Sequence, residues 1–229
     1  MLLDKIATGL LANLIVATIF YLLGLLTSGK IKPFLKNGLA WTFNSEVQAS
    51  IKRRDIYNDP NANIDISSFS TEIYDEICER YDGEVVSPRY NKSEVVVDVE
   101  KIPNEIAVKI DEERGISGAS MSEEVKGYRI EISPRGDLRF GYRSDESLKQ
   151  FEKFASAASA AVQAKYFHGD QPDESNVDVA IKQGVPELSG EVRDDDLEIS
   201  AHLDGSVLRM TLNNPDYLVD GIKKFVSPN

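Results

Sequence analysis

The stretch Ile6 to Leu26 (IATGLLANLIVATIFYLLGLL) holds no charged side chain over 21 residues. At ~1.5 Å per helical residue it reaches about 30 Å, the hydrocarbon thickness of a bilayer, and it predicts a transmembrane helix within residues 1–30. A cleavable secretory signal has a shorter apolar core of ~7–15 residues and a basic leader. Here Met1 to Lys5 carries one acid and one base, and the run leaves into Thr27-Ser28-Gly29-Lys30, the pattern of an anchor. Lys30, Lys32 and Lys36, then Lys52, Arg53 and Arg54, follow the run, against Lys5 before it. Basic residues beside a span stay on the cytoplasmic side. The expectation is a single-pass protein of the cell inner (plasma) membrane with a cytoplasmic C-terminal domain. The single cysteine, Cys78, excludes an intrachain disulfide framework and suits a reducing compartment.

Charge divides unevenly. Residues 1–54 hold seven Lys/Arg against Asp4 and Glu46, net +5, and the remainder holds 19 bases against 36 acids, net −17, for a total of −12. A basic neck suits an anionic leaflet, whereas an acidic body is repelled by phosphates, which argues against general nucleic-acid binding. The neck, residues 31–58, includes Pro33, Asn37-Gly38 and the sole tryptophan. Trp41, with Lys30, Lys32 and Lys36, reads as a membrane-interface anchor; the alternation Leu39-x-Trp41-x-Phe43 reads equally as a strand.

Asp59-Pro60-Asn61-Ala62-Asn63 marks a turn at the start of the body, residues 59–229. Beyond it, Ser70 as cap and Phe69, Ile73, Ile77 and Tyr81 at four-residue spacing predict a helix ending before Gly83, with Cys78 a small buried residue beside the stripe. Glu94 to Glu100 predicts a strand, and Lys126–Ser133 and Asp137–Arg143 around Pro134-Arg135-Gly136 predict a β-hairpin. Leu148, Phe151, Ala155, Ala158, Val162 and Lys165 predict a long helix over 145–167 whose alanines admit a close neighbour, either the sheet or another subunit. Residues 169–196 read as a mobile or irregular connection. Leu197–Leu203 and Ser206–Leu212 flank Asp204-Gly205, a type I′ hairpin signal, ahead of a terminal helix. The fold class is α+β, with antiparallel hairpins and amphipathic helices.

Two features carry function. In the span, Gly9, Asn13, Ala17, Phe20, Gly24 and Ser28 fall on one side at spacings of three and four. Helices in lipid associate by close packing of small residues and by polar contacts, so this seam predicts a homo-oligomer, and Asn13 suits a seam or a water-lined pore. In the body, Arg129, Arg135, Arg139 and Arg143 share the polar face of the expected hairpin with Glu131 and Asp137. Four guanidinium groups in an acidic body suit an anionic ligand such as a nucleotide or oligonucleotide; a solvated face of cross-strand ion pairs is the plainer reading. No phosphate loop, paired histidines or activated nucleophile is present in the sequence, so neither an enzyme, a cofactor nor a metal site is expected.

The span from Ile6 to Leu26 with Asn13, the basic neck and the 126–143 segment ahead of a small α+β body together resemble, in layout, the small membrane effectors of prokaryotic antiviral defence, of which the Hailong-type channel subunit is an example. The resemblance implies a homo-oligomeric, ligand-gated ion channel whose cytosolic domain senses a nucleotide signal. The alternative is a non-conducting tether that presents a protein-binding domain at the membrane; such a tether needs no polar residue at Asn13.

Overall fold

In Glu46–Tyr57 (β1) every second side chain points the same way: Val47, Ala49, Ile51, Arg53, Asp55 and Tyr57 are buried, and the residues between them are partly exposed. A strand buried on one face in this way needs a covering layer. The computed structural model describes residues 46–62, 64–116, 123–141, 145–183, 191–194, 199–204 and 207–226. They lie in the unit 44–227. The chain runs β1, α1 (Phe69–Arg80), β2 (Val85–Asn91), β3 (Glu94–Val99), β4 (Ile106–Ile116), β5 (Glu123–Pro134), β6 (Leu138–Gly141), α2 (Glu146–Tyr166), β7 (Glu174–Gln183), β8 (Glu191–Asp194), β9 (Ile199–Asp204), β10 (Val207–Leu212), a 3-10 turn (Pro215–Tyr217) and α3 (Leu218–Val226). One sheet contains all ten strands, in the order β2-β3-β4-β5-β1-β7-β10-β9-β8, with β6 also on β1. All its pairings are antiparallel, and the α+β class expected from the sequence is the observed one.

The helices and one sheet face share a single core. Phe69, Ile73 and Ile77 of α1 and Leu148, Phe151, Phe154, Ala158 and Val162 of α2 are fully or almost fully buried against Ile51, Val97, Ile110, Ile130, Leu138 and Val179. The alanine-rich face of α2 therefore serves intrachain packing: Ala155, Ala158 and Ala161 are buried in that core. The opposite face carries charged side chains in cross-strand pairs. Lys52 meets Glu131 at 2.8 Å and Arg54 meets Asp178 at 2.7 Å, while Lys109 meets Asp111, two residues on along the same strand, at 2.8 Å.

Several expectations are corrected. Lys126–Ser133 and Asp137–Arg143 do not form a hairpin with each other: β5 pairs with the second half of β1 and β6 with its first half, both antiparallel, so the two run collinearly. Ile132 to Leu138 takes six steps where the facing Arg53 to Ala49 takes four, and the excess is accommodated around Gly136, whose φ of 113° suits glycine. The turn chemistry of Pro134-Arg135-Gly136 thus makes a bulge in one long strand. Residues 169–196 are not simply a connection, because β7 lies within them and pairs along β1. Its Val177, Val179 and Ile181 are buried, and the acids and prolines around it obscured that alternation. The neck boundary at 58 also falls: β1 occupies its second half, so Lys52, Arg53 and Arg54 are sheet residues. Cys78 is exposed. Ser68, not Ser70, precedes the first turn of α1, and Ser70 is buried. Asp204 pairs with Val207, which moves the β9–β10 connection one residue beyond Asp204-Gly205.

Among the described residues no helix is long and apolar enough to cross a membrane. The expected span, its seam of Gly9, Asn13, Ala17, Phe20, Gly24 and Ser28, and the interface residues Lys30, Lys32, Lys36 and Trp41 lie outside the described residues.

Candidate functional site

The alternation of β1 turns two charged residues toward the helices. Asp55 is completely buried and Arg53 is 8% exposed. Isolated ions in such a place are costly, so their partners define a structure. The Arg53 Nε donates to both Asp55 carboxylate oxygens at 3.2 Å. The Ser159 hydroxyl of α2 donates to Asp55 Oδ2 at 2.6 Å, and the Ser175 hydroxyl of β7 donates to Oδ1. Asp55 faces Ser175 in the β1–β7 register, so the sheet itself sets that contact. Gln163, one turn beyond Ser159, donates to the Ser159 hydroxyl at 3.4 Å.

Arg53 also donates from Nη1 to Ser156 Oγ at 3.4 Å, a long contact. Among the described residues its Nη2 makes no hydrogen bond. Asp55 thus secures one edge of the guanidinium, and the side chain lines a cavity of about 300 Å³. Ser175 and Gln163 line it too, with Gln171-Pro172 and the segment Asn213-Asn214-Pro215-Asp216 completing the wall. The volume is at the small end for ligand pockets, and the wall is rich in amide, hydroxyl and charged groups. Tyr57, below Asp55 on the same face, stacks on Phe167 with ring centres 3.7 Å apart. Burial first, and then the Asp55 charge, push its phenol well above the ordinary tyrosine range. Its hydroxyl is buried beside Gln163 and Ser159 without completing a hydrogen bond to either. Chemically this arrangement can orient a polar ligand: a guanidinium held by its own carboxylate, surrounded by groups that both donate and accept.

The Asn213–Asp216 segment is fixed from below. Asn214 Oδ1 accepts from the Asp216 amide at 3.1 Å, and Glu152 of α2 accepts from the Val219 amide at the start of α3 at 3.3 Å. Desolvation, with smaller contributions from the Asp220 and Asp216 charges, raises the Glu152 carboxyl above its usual range. Below the ordinary glutamate value of about 4.3 both the folded and unfolded states hold this proton. Between that value and the raised native one only the folded state does, so stability falls as pH rises through the window and stays reduced above it. Glu152→Gln keeps the carbonyl acceptor without the charge. We expect the variant to melt at a higher temperature than wild type at pH 7, with the gap closing toward pH 4; equal melting temperatures at both pH values would show that the desolvated charge is inconsequential.

The arginines singled out from sequence are spread along the sheet. Arg129 faces Ile56 and Arg139 faces Gln48 on β1, eight residues or about 26 Å apart at ~3.3 Å per residue. A hairpin would have set these side chains opposite one another; collinear strands separate them. Arg129 meets Glu113 at 3.3 Å, with its Nε buried and unpartnered, and Arg135 meets Glu94 at 2.9 Å. Arg139 accepts the Ser147 hydroxyl at its backbone carbonyl, and Arg143 lies outside the described residues. The cavity residues escaped the sequence reading. Their signal is that Arg53 and Asp55 occupy inward positions of the alternation begun by Val47, Ala49 and Ile51, and that Ser159 interrupts the apolar stripe of α2 one turn after Ala155. No protein-family model matches the chain, and no curated protein is detectably similar to it.

Proposed function

We propose that this chain is a membrane-tethered, homo-oligomeric effector whose domain receives an anionic ligand of the nucleotide class in the Arg53 cavity and controls an ion channel formed by the N-terminal spans. The observation that carries the ligand half is the buried Arg53 guanidinium, held at Nε by Asp55 and lining a polar cavity. Arginine is strongly suited to planar, multi-acceptor ligands. The membrane half rests on the uncharged run from Ile6 to Leu26, the lysines that follow it and the small-residue seam around Asn13. On this reading the domain faces the cytoplasm and the protein acts by binding, without catalysis.

Full-length protein reconstituted in liposomes tests both halves. A panel of nucleotides is titrated while ligand binding and ion leakage are recorded. Arg53→Lys keeps a cation beside Asp55 but removes the planar fork, and we expect at least about a tenfold loss of affinity. Asn13→Leu should insert normally and change leakage while leaving ligand affinity intact. Reversing Arg139 and Arg143 to Glu probes the strand face: loss of binding there, with none in Arg53→Lys, would move the ligand to that surface. Binding without leakage under any condition leaves a non-conducting tether, and absence of nucleotide binding removes the ligand half.

A further inference from the structure

A nucleotide can enter the Arg53 cavity phosphate first or base first. Around it, the Arg53 charge is matched by Asp55 in direct contact, and Asp216 adds a second carboxylate at the wall. The remaining lining residues are neutral, so the local balance is negative. A phosphate monoester, carrying about −1.5 to −2 at neutral pH, gains little there. A neutral base meets no such repulsion.

The hydrogen-bond pattern then selects among bases. Arg53 has its Nε committed to Asp55, only a 3.4 Å contact at Nη1, and no hydrogen bond at Nη2 among the described residues, so this part of the wall asks for acceptors. The Asp216 carboxylate is exposed at the cavity wall, forms no salt bridge among the described residues, and can accept from donors on a ligand. Pro172 and Pro215 add flat apolar surfaces to an otherwise polar lining. Guanine has two acceptors, O6 and N7, on one edge and two donors, N1–H and the 2-amino group, on the next. Adenine would turn its amino group toward the guanidinium, and the pyrimidines lack such a pair of paired edges.

We infer that the Arg53 cavity is a guanine site, with O6 and N7 received by Arg53 and the N1–H and 2-amino edge by Asp216, the phosphates pointing outward. This rests on the reading that the ligand is a nucleotide and names the part that is recognised.

Calorimetric titration of the full-length protein in detergent micelles with GMP, IMP, XMP, AMP and inorganic phosphate tests it. GMP should bind tightest, IMP, which lacks the 2-amino group, about fivefold or more weaker, and AMP weaker still, because a bidentate pair discriminates by roughly that factor or more. Inorganic phosphate should not compete. Asp216 is exposed, so Asp216→Asn should fold normally, checked by its melting temperature, and should reverse the preference from GMP to XMP, whose 2-oxo group accepts where guanine donates. Equal affinity for GMP and AMP, both lost in Arg53→Lys, would overturn the guanine assignment and leave nucleotide binding standing. Competition by inorganic phosphate would overturn the base-first orientation, and binding of none of the four nucleotides would overturn the nucleotide reading together with it.

Discussion

Asp55→Ala is expected to destabilise the domain by about 3–5 kcal/mol, because it leaves the buried Arg53 charge without its carboxylate. Arg53 is 8% exposed and Asp55 is fully buried, so water from the adjoining cavity only partly replaces the missing carboxylate. The Ser159 and Ser175 hydroxyls lose their acceptor in the same substitution. Ser159 has a substitute in the carbonyl one turn back along α2, whereas Ser175, on the strand, does not. Most of the loss should therefore come from the uncompensated guanidinium. A second variant separates that cost from the net value of the pair: Arg53→Met with Asp55→Leu removes both ions, and we expect it to recover to within about 2 kcal/mol of wild type. Urea unfolding followed by far-UV circular dichroism measures both. If the double variant is as unstable as Asp55→Ala, the pair contributes more than it costs to bury.

If removing the pair is that cheap, stability alone gives little reason to retain it, which is consistent with a binding role for Arg53. The pair is also where local sequence reading has least power. Lys52-Arg53-Arg54 looks like a basic run, and only the period-two pattern from Val47 to Tyr57 assigns the middle residue to the inside. What recruits Arg53 to a cavity is non-local: Ser175 faces Asp55 across the β1–β7 ladder, and Asn213 to Asp216 follow a strand two places away from β1.

Elements whose pattern is local were legible. The four-residue spacing of Phe69, Ile73 and Ile77 places all three in the core, and the β-branched run Glu94–Val99 forms the expected strand, with Val95, Val96, Val97 and Val99 buried. The strand pair Ile199–Asp204 and Val207–Leu212 was recognisable from its alternation and its glycine, with the register displaced by one residue. The errors arose where one local signal has two tertiary outcomes. Pro134-Arg135-Gly136 serves a hairpin or a bulge equally well, and only β1, some eighty residues earlier, decides. Cys78 follows Ile77 around the helix far enough to leave the buried stripe, so adjacency in sequence misplaces it.

Phe154 shows the same limit on a helix and carries the second large effect. The three-and-four spacing picks out Phe151 and Ala155 and passes over Phe154, which is fully buried. The reason is that α2 packs on two neighbours, the sheet and α1, so its apolar face is wider than one stripe. Toward α1, the Phe154 ring meets Tyr81 edge to face, centres 5.4 Å apart and planes at 76°. Tyr81 closes α1 and donates its hydroxyl to Gln150 at 3.0 Å, so this contact joins the end of one helix to the middle of the other. Phe154→Ala removes a whole ring from a site walled by helix backbones that cannot collapse around it, and should cost about 3–5 kcal/mol. Phe154→Leu retains much of the volume but not the edge-to-face geometry, and we expect a loss of about 1–2 kcal/mol. Both are read from urea midpoints with unchanged slope. Because Phe154 does not line the Arg53 cavity, the leucine variant should keep wild-type ligand affinity. An alanine variant that unfolds at the wild-type midpoint would mean that α1 does not depend on α2 for its anchorage at Tyr81.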